Sequence, residues 1–389
     1  MQTGTESERG QRPIEYARAG DFHIAYTVRG TAGPAILLML GGFVPLDAID
    51  GEPRLSGFVR RLERIGRVVL FNRRGIGLSD SVSLTDPPTI EDWVDDTIAV
   101  LDAARIETAC LVAGLGDIKV AIATAARVPE RVDQLISING AIRPLTRVLG
   151  IAPPAMDRML NESLRPGRDA IDAFDQLSWA APSLKGDSAF RNWWDAAGRR
   201  GASPSTARAL LAIIGNADVT AECESLTCRI LVIQRRDSAV LGVEAGEYFA
   251  DHARYGRLSL LPGDDLLCWV DAEGVLGEIE EAMTGTRSAP ERDRAVMTML
   301  FTDIVGSTAR LAEVGDREWR AAIEVHDEMS ERVVTRYSGS VANTTGDGIL
   351  AMFSSPSHAL RAAFGQASPS PSPAPAMRDR AVVDPARRG

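Results

Sequence analysis

The stretch ACLVAGLGD, residues 109–117, decides the fold. Residues 109–113 form an apolar run of strand length, after which the chain turns through Gly114, Leu115 and Gly116 to Asp117. Runs of the same kind recur at 35–40, 67–72, 134–138, 229–234 and 257–261, with longer helical patterns between them. Such alternation predicts a mainly parallel sheet wrapped by helices. Over residues 141–221 the rhythm changes to Pro-punctuated helices carrying Trp179, Trp193 and Trp194, which predicts a helical cap over the sheet. No internal repeat is evident at solenoid periods.

The 389 residues allow two or three domains, and 45% hydrophobic with 25% charged residues is the balance of an ordinary globular protein. A net charge of −10 argues against nucleic-acid or anionic-membrane partners, which would meet repulsion. Cys110 and Cys268 sit in apolar runs, and Cys223 and Cys228 lie four apart with no nearby His, so a zinc site is not expected. The polar start MQTGTESERGQR does not read as a signal peptide, and no apolar run approaches the length of a membrane span. A cytoplasmic protein is expected.

The first 280 or so residues resemble the α/β-hydrolase superfamily, and more closely the hydrolase-like domains that precede cyclase domains in actinobacterial proteins. IAYTVRG (24–30), LGGF (40–43), FNRRGIGLSD (71–80), VPERVDQLISING (128–140), RRD (235–237) and LPGDD (261–265) carry the likeness. The resemblance implies oxyanion-hole amides around Gly41, Gly42 and Phe43, and a sharp Gly-x-Ser-x-Gly turn presenting a nucleophile. Here Leu115 stands at the nucleophile position and Leu266 at that of the base, leaving Asp237 as an orphan acid. The four histidines, His23, His252, His326 and His358, lie elsewhere. Leucine has no lone pair with which to attack a carbonyl, so hydrolysis by a triad is not expected. Asp117 falls two residues past the turn and is expected to enter the helix instead of facing the pocket. Ser79 is expected to cap a turn and Cys110 to begin a buried strand. What remains is a cavity between sheet and cap, lined by Leu115 and Leu266, suited to an apolar small molecule, with a collapsed leucine core as the alternative.

Farther on, LFTDIVGST and NTTGDGILAMF set Asp303 and Asp347 forty-four positions apart, each at an end of a strand-like run. Paired carboxylates suit divalent cations, and Gly306, Ser307 and Thr308 form a turn into a helix whose free amides suit phosphate. The segment resembles the first half of a class III adenylate/guanylate cyclase domain, which implies an incomplete ferredoxin-like α+β fragment. By that resemblance Asp303, Ile304 and Asp347 would hold two Mg²⁺ or Mn²⁺ ions, Gly306 to Thr308 would cradle phosphates, and Asn343 would stand at the base-reading position. The remainder of the family's domain is not matched. Residues 366–389 are Pro/Ser/Ala/Arg-rich and are expected to be disordered, as in a frameshifted or decayed gene.

The expected organisation is a hydrolase-like domain over 1–283 (cap about 141–221), a linker over 284–296, a cyclase fragment over 297–365 and the tail. The expected function is cyclic-nucleotide signalling by a truncated class III cyclase, inactive alone, with a triad-less regulatory domain. ATP or GTP, a homodimer or a heterodimer with an intact cyclase, and an apolar ligand are the expected partners. The alternative is a non-catalytic small-molecule-binding module of α/β-hydrolase fold, with the cyclase segment vestigial.

Overall fold

The computed structural model describes residues 13–163, 175–287 and 298–367, the last stretch without 305, 338, 345, 347, 354 and 355. The chain divides into two compact units, Met1–Glu291 and Arg292–Gly389.

In the first unit, eight strands alternate with helices. They are β1 (Glu15–Ala19), β2 (Phe22–Arg29), β3 (Ala35–Met39), β4 (Arg67–Phe71), β5 (Ala109–Gly114), β6 (Val132–Ile138), β7 (Arg229–Arg235) and β8 (Gly256–Leu261). The core helices are α1 (Pro53–Ile65), α2 (Ile90–Ala103) and α3 (Asp117–Arg127). Between β6 and β7 lie α4 (Leu145–Leu149), α5 (Pro153–Ser163), α6 (Gln176–Ala180), α7 (Ser188–Gly201), α8 (Pro204–Asn216) and α9 (Thr220–Ser225). The last two are α10 (Val243–Asp251) and α11 (Ala272–Thr284).

The strands form one sheet in the order β1-β2-β4-β3-β5-β6-β7-β8. β2 runs antiparallel to β1 and β4, and every other pair is parallel. The mainly parallel sheet read from the apolar runs is therefore present; the antiparallel pair β1–β2 was not among those runs, because β1 is largely exposed and the mostly buried β2 is interrupted by His23, Thr27 and Arg29, so neither writes a continuous apolar run. Successive side chains point to opposite faces. Leu37 and Met39 pack with Trp93 of α2 and Ile118 of α3, while Ile36 and Leu38 pack with Leu55 and Phe58 of α1 and Ile279 of α11.

Local signals start the helices. Pro53 opens α1, where the Glu52 carboxylate accepts from the Leu55 amide at 2.7 Å, and Thr89 and Asp92 close a reciprocal capping box on α2. In the 71–80 motif, Arg74 reaches Asp96 of α2 at 2.6 Å and Asp92 at 2.9 Å, and its guanidinium lies 4.3 Å from the Phe22 ring centroid. Burial pushes the Asp96 carboxyl up despite Arg74. Ser79 is structural, its hydroxyl donating to the Asn72 carbonyl and accepting from the Ala25 amide.

Core segments far apart in sequence hold the helices that follow β6. Gly77 donates to the Gly201 carbonyl at 2.7 Å, the Trp193 indole to the Ala48 carbonyl at 3.0 Å, and the Ser183 hydroxyl to Asp265 at 2.7 Å.

The second unit is a three-stranded antiparallel sheet, ordered β10-β11-β9, with β9 (Thr298–Asp303), β10 (Gly339–Thr344) and β11 (Gly348–Phe353). Its helices are α12 (Ser307–Val314), α13 (Asp316–Arg336) and α14 (Pro356–Ala367). Ile349, Ala351 and Phe353 pack with Val334, Ala359 and Ala362. Gly315, at φ 79°, ends α12 and separates it from α13. A ferredoxin-like cyclase fragment is not shown by this arrangement. Gln366 and Ala367 complete α14, whereas the expected disordered tail from 368 onward and most of the expected linker lie outside the described residues. Among the described residues no helix is long and apolar enough to cross a membrane.

Candidate functional site

The turn after β5 has the geometry that lifts a side chain above the sheet. β5 is buried throughout and delivers Leu115 in the left-handed region, at φ 52°, before α3 begins at Asp117. A non-glycine residue is rare there and costs about 1–2 kcal/mol. The Leu115 amide donates to Ile138 of β6 at 3.0 Å, which anchors the turn. Gly41 faces it with φ +75°, and a Cβ there would meet the Gly114 carbonyl at 2.9 Å and the Leu115 Cβ at 3.2 Å. The loop after β3 can approach this closely only as glycine.

Leu266 is buried with Ala141, Leu241 and Ala245, and Leu115 packs against that group. The structure thus packs Leu115 against the group that holds Leu266. Asn139 sets the loop that bears Leu266, donating to its carbonyl at 2.9 Å while accepting from the Arg235 amide at 2.8 Å. Asp237 stands apart, exposed, accepting from the Gly263 amide at 2.8 Å.

Above the turn opens a cavity of about 500 Å³ between sheet and cap. Leu115, Trp179, Trp194, Leu210 and Leu241 are among its lining residues. Of the expected leucine pair, Leu115 lines it; Leu266 lies behind, and Leu267 takes a place in the wall. The space is open, which sets aside the collapsed leucine core.

Two charged residues at the start of α3 were misjudged or missed by sequence reasoning. Asp117 does begin the helix, yet it also lines the cavity. It accepts from the Gly41 amide at 3.1 Å and pairs with Arg73 at 2.8 Å. Burial pushes the carboxyl above its ordinary range, against the pull of Arg73 and the Gly41 amide. The Arg73 guanidinium lies 4.4 Å from the Trp93 ring centroid, and its buried Nη1 has no hydrogen-bond partner among the described residues. Lys119, 1% exposed, donates to the carbonyls of Ile214 and Ala217, each at 2.8 Å, so it caps the C-terminal end of α8. Burial brings its ammonium down to about 8, and Asp218 pulls the other way. The available signal was Asp117 and Lys119 within an otherwise apolar helix start, below the paired arginines of FNRRG.

In the second unit, Asp303 is exposed at the end of β9, opposite Gly348 of β11. Asp347 lies outside the described residues. The Ile304 carbonyl accepts from the Ser307 amide at 3.2 Å, and Gly306, at φ 74°, accepts from the amides of Ala309 and Arg310. Thr308 lies in the first turn of α12. Asn343 is exposed on β10, opposite Leu350. No group of three or more His, Cys, Asp or Glu side chains that could hold a metal ion occurs among the described residues.

Comparison with known proteins gives the class first: the architecture is the α/β-hydrolase fold. A hydrolase from Pseudomonas aeruginosa superposes with a TM-score of 0.57 at 20% identity, covering 70% of this chain and 98% of that one. The enol-lactonase from Burkholderia xenovorans gives 0.57 at 18% identity, covering 70% of this chain and 100% of the other. In sequence, a protein of Caulobacter sp. (strain K31), named as a proposed carbamate hydrolase, RutD, is 25% identical over 216 residues, 54% of this chain and 76% of that protein. No family model matches the chain.

These findings overturn the nucleotide-cyclase identification and the cyclic-nucleotide signalling function expected from it. The similar proteins are named hydrolases, and they bring hydrolytic chemistry, not nucleotide cyclisation, to be weighed at the site. The motif that prompted the cyclase reading forms a strand end and a helix start whose described carbonyls and amides bond locally.

Proposed function

We propose that the first unit is a small-molecule-binding protein on an α/β-hydrolase scaffold, taking an apolar ligand in the cavity between sheet and cap without turning it over. The observation that carries this reading is an open cavity of about 500 Å³ above a fully formed elbow whose tip is Leu115. That volume is in the range of sites for drug-sized ligands, and its wall is mostly apolar. With a hydrocarbon at the tip and Leu266 behind it, nothing in the usual positions can attack a carbonyl or carry a proton.

Titration of the full chain with 1-decanol, followed by the fluorescence of Trp179 and Trp194 in the cavity wall, tests this. Saturable binding is expected, lost in Leu211→Trp, which puts an indole into the cavity from α8. No saturation with the wild-type chain refutes it.

A second reading, hydrolysis, is favoured by the names of the similar proteins and by Asp117 in the cavity wall. The role would then fall on Asp117 as a general base for water, a use its raised pKa suits. Turnover of p-nitrophenyl esters by the wild type, abolished in Asp117→Asn, would replace the first reading with this one.

A further inference from the structure

The eight-stranded sheet ends in two edge strands, β1 and β8. β1 carries Glu15 and Arg18, and charged side chains discourage a further strand from pairing at such an edge. β8 has no charge from Leu258 to Leu261, and large apolar side chains lie open along it: Tyr255, just before the strand, is 51% exposed and Leu260 41%.

The ladder to β7 shows which backbone groups of β8 are free. The Ile230 amide donates to the Tyr255 carbonyl at 3.1 Å, and the Arg236 amide to the Leu261 carbonyl at 2.8 Å. Bonds in a parallel ladder are evenly spaced, so the odd-numbered residues 255 to 261 turn their backbone groups to β7, while Gly256, Leu258 and Leu260 turn theirs outward. The Gly256 amide is already taken by the Ala253 carbonyl at 2.9 Å. Beyond the strand, Pro262 has no N–H and its carbonyl accepts from Arg235. Leu258 and Leu260 remain, each with an N–H and a C=O facing away from the sheet and without a partner among the described residues.

A second β8 fits this edge. In an antiparallel pair, residues directly opposite exchange both bonds. With a two-fold axis through Ser259, Leu258 of each copy faces Leu260 of the other, which satisfies all the free groups of both leucines and stacks their side chains across the junction. The same register sets Arg254, five residues before Ser259, beside Asp264 of the other copy, five residues after it, once at each end. Both residues lie outside every ion pair among the described residues, so their charges are available to each other.

We propose that β8 is a dimerisation edge, pairing antiparallel with β8 of a second copy of this chain so that the two sheets become continuous. The contact is isologous and closes on itself, which uses up an edge otherwise open to indiscriminate pairing. It is independent of what the cavity binds.

Sedimentation of the full chain tests this. The wild type is expected to dimerise reversibly in the micromolar range. Arg254→Glu and Asp264→Arg each bring like charges together at both ends, and each is expected to weaken the dimer about tenfold or more. An equal mixture of these two variants is expected to recover dimerisation, because the mixed dimer regains an opposite-charge pair at each end; loss of fold in either variant would give no such recovery. Leu260→Pro removes one outward N–H from each copy and is expected to weaken the dimer by a similar factor with an unchanged circular dichroism spectrum, since proline is tolerated on an edge strand. A wild type that stays monomeric overturns the proposal. So does a dimer indifferent to these three substitutions, which another face must hold, or a mixture that stays monomeric.

Discussion

Lys119 offers a measurement in which a single buried charge sets the slope of stability with pH. Its ammonium is 1% exposed and titrates near 8 instead of 10.5, chiefly through desolvation. The unfolded chain therefore holds this proton more tightly than the folded one, and protonation favours unfolding. Above about pH 10.5 the amine is neutral in both states and the penalty vanishes. Between about pH 10.5 and 8 it grows by about 1.4 kcal/mol per pH unit, and below 8 it is constant. The full difference is about 3 kcal/mol. Urea unfolding of the wild type and Lys119→Met at several pH values from 7.5 to about 10.5 isolates this contribution, because Tyr26 and the buried cysteines, which also titrate high, are common to both proteins and cancel. The wild type is expected to gain about 3 kcal/mol relative to the variant as the pH rises through this window. Parallel stability curves would refute the claim that Lys119 is protonated and desolvated in the fold.

Gly201→Ala would set a Cβ 1.8 Å from the Phe43 carbonyl, a backbone contact that cannot yield cheaply; a loss of at least about 2 kcal/mol in urea unfolding is expected. Asp96→Ala leaves Arg74 buried without its closest partner and should cost about 3 kcal/mol by the same assay. Leu115→Ser alone is expected to give no esterase activity on the binding reading, since Leu266 stands where a triad base is expected; combined with Leu266→His it should give measurable p-nitrophenyl acetate hydrolysis, provided circular dichroism shows the fold intact.

Much of the scaffold was legible because a parallel sheet buries strands on both faces and writes them as unbroken apolar runs. β3, β4, β5, β6 and β7 were marked in this way, whereas β8, at the sheet edge and without a fully buried residue, was marked by its leucines alone. β1 and β2 were not: exposed positions dilute β1, and His23, Thr27 and Arg29 interrupt β2 although it is mostly buried. Leu115 and Leu266 were singled out by place in the chain, and Leu115 packs against the cluster that includes Leu266. Asp117 was misjudged because a one-dimensional reading gave it a single job. At the first position of α3 it both starts a helix and turns its carboxylate to Gly41 and Arg73, from segments 76 and 44 residues earlier. Arg73 was hidden for the same reason: its pairing is with residues remote in sequence, and only the fold shows that one nitrogen is left over. The cyclase likeness misled because a short motif is a hypothesis until its surroundings confirm it: here β9 ends at Asp303 and α12 starts at Ser307, and chemistry needs the surrounding site.

The contacts from Gly77, Ala48, Asp265 and Lys119 to the helices that follow β6 reach them from four separate parts of the core. These ties predict that lid and base melt in one cooperative step, so that a ligand bound between them, as proposed, would prop up the whole unit. A compound present at a hundred times its dissociation constant adds about 2.7 kcal/mol to that transition. Heating alone therefore serves as a reporter of occupancy, with no turnover to follow and no label to attach.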